Sequence, residues 1–234
     1  MVLKFLTKAQ FFFGKISGKI CFLPTMKFSF ANSNFLALPE RGIIWTEERA
    51  ILFSDLHLGK VSHFRKNGIA VPMAAADQNL IKIQEILEKY SFEEFIILGD
   101  LFHSDLNEEW NLFIELTLKY KHIKWTLIRG NHDRMPAYLL KEAGIQTFYK
   151  QERRGIEMIH EPDENSTKPS ISGHIHPAVL LEGKGKQRER LACIFVGENQ
   201  ILLPAFGSFT GAKVIETNPN DKVYVFAGSK VIEV

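Results

Sequence analysis

The chain of 234 residues has only two cysteines, Cys21 and Cys193, far apart and in no metal-ligand spacing. That excludes a disulfide framework and a zinc-ribbon scaffold, and it fits a reducing compartment. Excess charge of one sign is also missing. The formal net charge of +2 is too small for a nucleic-acid coat protein, and it is compatible with an anionic substrate without requiring one. No stretch approaches the roughly 20 apolar residues of a membrane span. Residues 1–25 are apolar, but Lys4, Lys8, Lys15 and Lys19 break the run of about 7–15 residues that a secretory signal needs. A cytoplasmic location is expected. No repeat or low-complexity linker divides the chain, and its length suits one domain. The domain is placed at 34–234, with residues 1–33 an N-terminal extension. Met26 is a candidate alternative start (a hypothesis that a full-length intact mass of the native protein would sink).

What is present is an ordinary globular composition, 45% hydrophobic and 24% charged, sufficient for a real core. Short apolar runs at 50–54, 95–98 and 125–128 read as buried strands. Between and after them, 74–90, 107–120 and 137–143 read as helices; Leu80, Ile83, Ile86 and Leu87 share one face of the first. Beyond about 145 the period shifts to two, with candidate strands at 145–149, 156–160, 169–173, 178–182, 191–197, 199–203, 212–216, 222–227 and 230–234. Helix–strand alternation followed by strands alone predicts an α/β protein with two sheets face to face and helices outside.

Six of the eight histidines fall in short polar motifs where those strands end, the place where α/β sheets bind ligands. Asp55-Leu56-His57 puts a carboxylate and an imidazole on one side of an extended segment; alone it is better explained by a strand-end turn beside an incidental His. Gly99-Asp100 offers a carboxylate whose two oxygens can bridge two ions, although Gly-Asp is an everyday turn. Gly130-Asn131-His132-Asp133 gathers an amide oxygen, an imidazole and a carboxylate. Gly173-His174-Ile175-His176-Pro177 is the most specific motif, and His160 has the weakest local context, that of an ordinary half-buried histidine. Together these ligands, without thiolate, suit Mn²⁺, Fe or Zn²⁺.

In order, the segments D-x-H, G-D, G-N-H-D, an isolated H and G-H-x-H resemble the signatures of the calcineurin-like metallophosphoesterases, from about residue 50 to 180. The resemblance implies a four-layer α/β-β/α sandwich. It implies one divalent ion held by Asp55, His57, Asp100 and His176, and a second by Asp100, Asn131, His160 and His174. Mn²⁺ is the first choice for both. From about residue 34, LPERGIIWTEERAILFSDLHLGK, ILGDLFH, RGNHD, IHEP, SGHIHP and LPAFGSFTG resemble the DNA-ligase-associated phosphoesterases (PdeM), which implies a DNA substrate and a repair ligase and helicase as partners. Gly-Asp-Leu-Phe-His is similar to SbcD-type repair nucleases, while the Val-Asp-Arg-Gly stretch of Ser/Thr protein phosphatases is missing.

The chemistry this predicts is in-line attack on phosphorus by a water that two ions acidify, with no covalent enzyme intermediate. His132 is the candidate general acid, Asp133 is a candidate to orient it or support a ligand, and His103 is a candidate phosphate contact. Arg129 and Arg134, flanking the Gly-Asn-His-Asp loop, are the candidate substrate cations. Lys60, Arg65, Lys66, Arg153, Arg154 and the run Lys184–Arg190 could attract a phosphate backbone, but each taken singly is better read as solvated exterior. No base-stacking platform stands out in the sequence, which argues against sequence-specific recognition. Small-molecule or cyclic-nucleotide hydrolysis, and a non-catalytic ligase partner, are the competing readings.

Overall fold

The computed structural model describes residues 12–16, 19–23, 25–60, 74–102, 108–163, 165–183, 187–207 and 210–234. Strands β1 (Phe12–Ile16) and β2 (Lys19–Leu23) pair antiparallel. The first large sheet has seven strands in chain order: β3 (Met26–Phe30), β4 (Ser33–Leu38), β5 (Gly42–Trp45), β6 (Ala50–Phe53), β7 (Glu94–Leu98), β8 (Lys124–Ile128) and β9 (Ile145–Phe148). The first four are an antiparallel meander. The last four run parallel, joined through helices α1 (Ala74–Lys89), α2 (Glu108–Lys119) and α3 (Ala137–Glu142). Parallel neighbours require such crossovers.

The second sheet contains β10 (Lys150–Arg153), β11 (Ile156–Ile159), β12 (Ser170–Ser172), β13 (Pro177–Glu182), β14 (Arg188–Val196), β15 (Gln200–Leu202), β16 (Lys213–Val214), β17 (Lys222–Ala227) and β18 (Lys230–Glu233). Its path is β10-β11-β12-β15-β14-β13-β16, with β17 on β14 and β18 on β17.

Two-residue alternation sets the layers. In β6 and β7, Ala50, Leu52, Ile96 and Leu98 face the second sheet and pack with Ile156, Met158, Ile171, Ile194, Ile201 and Tyr224. Ile51, Phe53, Phe95 and Ile97 face the helices and meet Ile83, Ile86, Leu87, Phe113 and Leu116. Burial on both faces is why these strands read as continuous apolar runs. A third cluster, Val179, Cys193, Phe195, Leu202, Val223 and Val225, lies on the second sheet's outer side. Among the described residues, α1, α2 and α3 all pack on the first sheet.

The first sheet starts at Met26, eight residues before position 34, and Met26, Phe28 and Phe30 join the core between the sheets. Among the described residues, no helix is long and apolar enough to cross a membrane.

Candidate active site

Five strand ends converge on one edge of the sandwich. Asp55 and His57 follow β6, Asp100 follows β7, Asn131 follows β8, His160 follows β11, and His174 and His176 follow β12. The structure brings all seven together. His176 Nε2 lies 3.0 Å from Asp55 Oδ1, and His57 Nε2 lies 3.9 Å from that oxygen and 4.0 Å from Asp100 Oδ2. His160 Nε2 lies 3.5 Å from Asp100 Oδ1, 3.1 Å from Asn131 Oδ1 and 3.2 Å from His174 Nδ1. Asp100 therefore turns one oxygen to each half of the cluster.

The backbone that achieves this is not extended. Asp55 (φ 53°), His57 (46°), Asp100 (51°), His174 (63°) and His176 (51°) are all left-handed. The two residues of Asp-x-His and of His-x-His thus converge through turns rather than through the pleat of a strand, as their spacing alone had suggested. Such conformations cost on the order of 1–3 kcal/mol each and persist where surrounding contacts over-determine them. Here the contacts are explicit. Asp55 N donates to Gly99 O at 3.1 Å, His57 N to Asp100 O at 2.9 Å, and Leu58 N to Leu101 O at 2.9 Å, which zips two ligand loops together beyond the sheet. His174 N donates to Asp55 Oδ2 at 3.0 Å.

Glycine before the ligands is a matter of space. A Cβ on Gly99 would overlap the His160 ring, and one on Gly173 would sit 2.5 Å from Asp55 Oδ2. The LPAFGSFTG segment, so far only a mark of resemblance, has a positional role. Phe206 N and Gly207 N donate to Ser54 O and Asp55 O at 2.9 and 3.1 Å, and Gly211 O faces His176 Nδ1 at 3.0 Å.

Imidazole orientation tests whether these residues fit cations. His160 Nδ1 donates to Leu98 O at 3.0 Å, leaving Nε2 as a lone pair aimed at the oxygens of Asn131 and Asp100. Acceptors converging on acceptors are reconciled by a positive ion between them. His176 repeats the pattern: Nδ1 faces Gly211 O, and Nε2 faces Asp55 Oδ1 without hydrogen-bond geometry, both atoms buried. Burial pushes the Asp55 carboxyl up, but His176, His160 and His57 outweigh it and hold it below its ordinary value. Conversely, burial alone would lower His176, and the Asp55 carboxylate raises it instead. Asp55, His57 and His176 form one possible cation cradle; Asp55, Asp100 and His160 form another.

The remaining candidates separate. His132 is exposed, with its ring centroid 5.9 Å from that of His57, at the rim of the site. Asp133 lies behind the ligand loops. Its Oδ2 accepts from Asp100 N at 2.9 Å and Gly130 N at 2.8 Å, and its Oδ1 accepts from Leu101 N at 2.9 Å. That is a clamp on two ligand loops, a positioning role rather than a proton-transfer one. Burial first, and then the charge of Asp100, push the Asp133 carboxyl up to about 6 against the pull of the backbone N–H groups.

Arg129 donates to the carbonyls of Asp133 and Met135, so it braces the loop, whereas Arg134 is exposed beside it. Lys60 is half-buried; burial lowers its pKa while Asp100 and Asp55 oppose that. Arg153 is not a site cation at all, being paired with Glu94 at the opposite end of β7. His103, Arg65, Lys66 and residues 184–186 lie outside the described residues. Sequence reasoning missed Tyr138 and Tyr149, exposed on the segments that follow the Gly-Asn-His-Asp loop. Isolated tyrosines carry no pattern that would have singled them out.

Two sheets whose strand ends assemble nitrogen and oxygen ligands around a carboxylate facing both ways define a metal-dependent phosphoesterase. Residues 49–217 match the family described as Calcineurin-like phosphoesterase (Metallophos), and the chain belongs to that family. No curated protein matches the chain. Among solved structures it is similar to the nuclease MPE of Pseudomonas putida, at 27% identity and a TM-score of 0.74, over 90% of this chain and 100% of that one. It is more remotely similar to Vps29 from Entamoeba histolytica complexed with Zn²⁺ (13% identity, TM-score 0.33, 79% of this chain and 96% of that one). A conserved protein of Streptococcus pneumoniae TIGR4, described as a predicted phosphoesterase, is at a similar distance (13% identity, TM-score 0.30, 79% and 95%).

Proposed function

We propose that this phosphoesterase hydrolyses phosphodiester bonds in DNA, using two Mn²⁺ ions, in repair alongside a ligase and a helicase. The observation that carries the chemistry is the division of Asp100, with one oxygen towards His57 and the other towards His160. Support for DNA comes from the LPAFGSFTG and Gly-Asp-Leu-Phe-His segments and from likeness to a protein described as a nuclease. The ligand set, imidazole with carboxylate and amide oxygen, suits Mn²⁺.

Bound divalent ions supply Lewis acidity at the phosphoryl group and acidify water for attack. Asp55, His57, Asp100 and His176 would hold one ion; Asp100, Asn131, His160 and His174 would hold the other. The Leu98 and Gly211 carbonyls keep Nε2 of His160 and His176 pointed inward. Asp133 holds the loops of Asp100 and Asn131 in register through their backbone N–H groups. His132, exposed at the rim, donates a proton to the departing oxygen, a contribution typically of about 10²–10⁴-fold.

The test is Mn²⁺-loaded protein assayed on an aryl phosphodiester, labelled single- and double-stranded DNA and 2′,3′-cyclic nucleotides. Cleavage of DNA is expected. Hydrolysis of the aryl diester or cyclic nucleotides but never DNA would replace the DNA reading with a small-molecule one. Bound metal with silence on every substrate would leave only a scaffold role.

A further inference from the structure

We infer that Tyr149, braced by Arg129, is a stacking subsite for a nucleobase next to the scissile phosphate; the inference rests on the DNA reading above. β8 and β9 run parallel with Ile128 opposite Phe148, and Arg129 N donates to Phe148 O at 2.7 Å. The next residues, Arg129 and Tyr149, therefore leave the sheet side by side, at the edge where the ligand loops gather. Asn131 follows Arg129 by two residues, and Lys150, next after Tyr149, pairs with Ile159, the residue before His160. Tyr149 thus stands beside the segments that carry Asn131 and His160, where nucleotides flanking a phosphate held at the site would pass.

The ring is set for this role. The Arg129 guanidinium carbon lies 5.9 Å from the Tyr149 ring centroid, and the same guanidinium donates to the carbonyls of Asp133 and Met135. One flank of the ring thus leans on a side chain that is itself tied into the Gly-Asn-His-Asp loop. Even so, Tyr149 is 79% exposed, so most of its surface is open to a ligand. A large aromatic left in water costs free energy that burial against a base recovers. A ring already oriented by a cation loses less freedom when a base stacks on it. Tyr138, in the first turn of α3, is 62% exposed and follows the same loop, a second aromatic on this side of the site. Arg134, exposed four residues before Tyr138, can meet the sugar-phosphate chain. Every base has a π face, so such a platform binds strands without selecting sequence.

The experiment compares an oligothymidylate with a length-matched oligomer of abasic deoxyribose phosphates, which keeps the backbone and removes the bases. Wild-type, Tyr149→Ala and Tyr149→Phe proteins are loaded with Mn²⁺ and assayed on both, with an aryl phosphodiester as a third substrate. Wild type should prefer the oligothymidylate by roughly ten- to a hundred-fold in kcat/KM. Tyr149→Ala should lose most of that preference, and Tyr149→Phe, which retains the ring, should keep it. A preference that survives Tyr149→Ala, or its absence in wild type, overturns the subsite while leaving DNA as the substrate. Wild type that hydrolyses the aryl diester and neither oligomer overturns the DNA reading, and the subsite with it.

Discussion

Replacing Arg153 with alanine should destabilise the protein and leave oligonucleotide binding, measured alongside, unchanged. The Glu94 carboxylate is 6% exposed at the start of β7. Arg153 meets it with two bonds, Nη1 to Oε2 at 2.8 Å and Nη2 to Oε1 at 2.9 Å. Thr126 Oγ1 donates to Oε1 at 2.6 Å, and the half-exposed Lys124 lies 3.3 Å away. Removing one partner of a buried pair strands the other charge, at a cost of about 3–5 kcal/mol. Thr126 and Lys124 soften that here, so about 2–4 kcal/mol is expected. At roughly 2–4 °C per kcal/mol for a chain of this size, Tm should fall by about 5–15 °C. Glu94→Gln added to Arg153→Ala should recover part of the loss.

The pH dependence has a definite sign. Burial pushes Glu94 up, but Arg153, Thr126 and Lys124 outweigh it and leave the folded pKa below the ordinary value. Its contribution is therefore complete above the unfolded pKa of about 4.3 and disappears as pH falls through the lower folded value. In Arg153→Ala, acid instead relieves a stranded charge, so the gap from wild type should narrow as pH falls. Melting curves at neutral pH and at about pH 4, with oligonucleotide binding measured alongside, decide the matter. An unchanged Tm at neutral pH, or weakened DNA binding with intact stability, would refute the reasoning.

His132→Asn should keep its metal and lose about 10²–10⁴-fold in turnover on diesters with poor leaving groups; undiminished turnover on them sinks the acid role. Gly99→Ala combines a φ of +79° with a Cβ that overlaps the His160 ring, so the purified variant should carry less metal by elemental analysis, and a full complement would contradict the packing argument. Asp133→Asn has one acceptor oxygen for the N–H groups of Asp100, Gly130 and Leu101. At least one of them is orphaned, at about 1–3 kcal/mol. Both Tm and Mn²⁺ affinity should drop, and no change in either would remove Asp133 from its positioning role.

The parts of the fold that sequence made legible are those where one local pattern decides the structure. The helical period through Leu80, Ile83, Ile86 and Leu87 and the apolar runs before Asp55, Asp100 and Asn131 are of this kind, and they form α1, β6, β7 and β8. The meander β3–β5 went unread, although Met26, Phe28 and Phe30 alternate with exposed Lys27 and Ser29. Ala31 and Asn32 at φ 45° and 58° close its two-residue turn, and a polar Asn at such a turn was the available signal. β10 carries no buried stripe, because its fate is decided by pairing with β11 and by the Arg153–Glu94 ion pair. Sequence left Arg153 as an unassigned surface cation because its partner Glu94 lies fifty-nine residues away.

Which residues gather at the site was readable, whereas their geometry was not. Asp and His tolerate the left-handed region better than most residues, yet nothing adjacent to Asp55 or His57 forces it. What holds them there comes from elsewhere in the chain: Gly99 and Asp100 carbonyls for the two amides, Gly207 N on the Asp55 carbonyl, and the Asp133 carboxylate beneath the Asp100 loop. With left-handed residues costing on the order of 1–3 kcal/mol each, an isolated Asp-x-His or His-x-His peptide would relax away from this geometry. The motifs name the candidate ligands, but only the closed pair of sheets presents them together. Pre-organisation of the candidate metal centre therefore depends on Phe206, Gly207 and Gly211 as much as on the ligand motifs. A substitution there, such as alanine at Gly207 where a Cβ would meet the Leu56 carbonyl at 2.5 Å, acts on the metals through the backbone of Asp55.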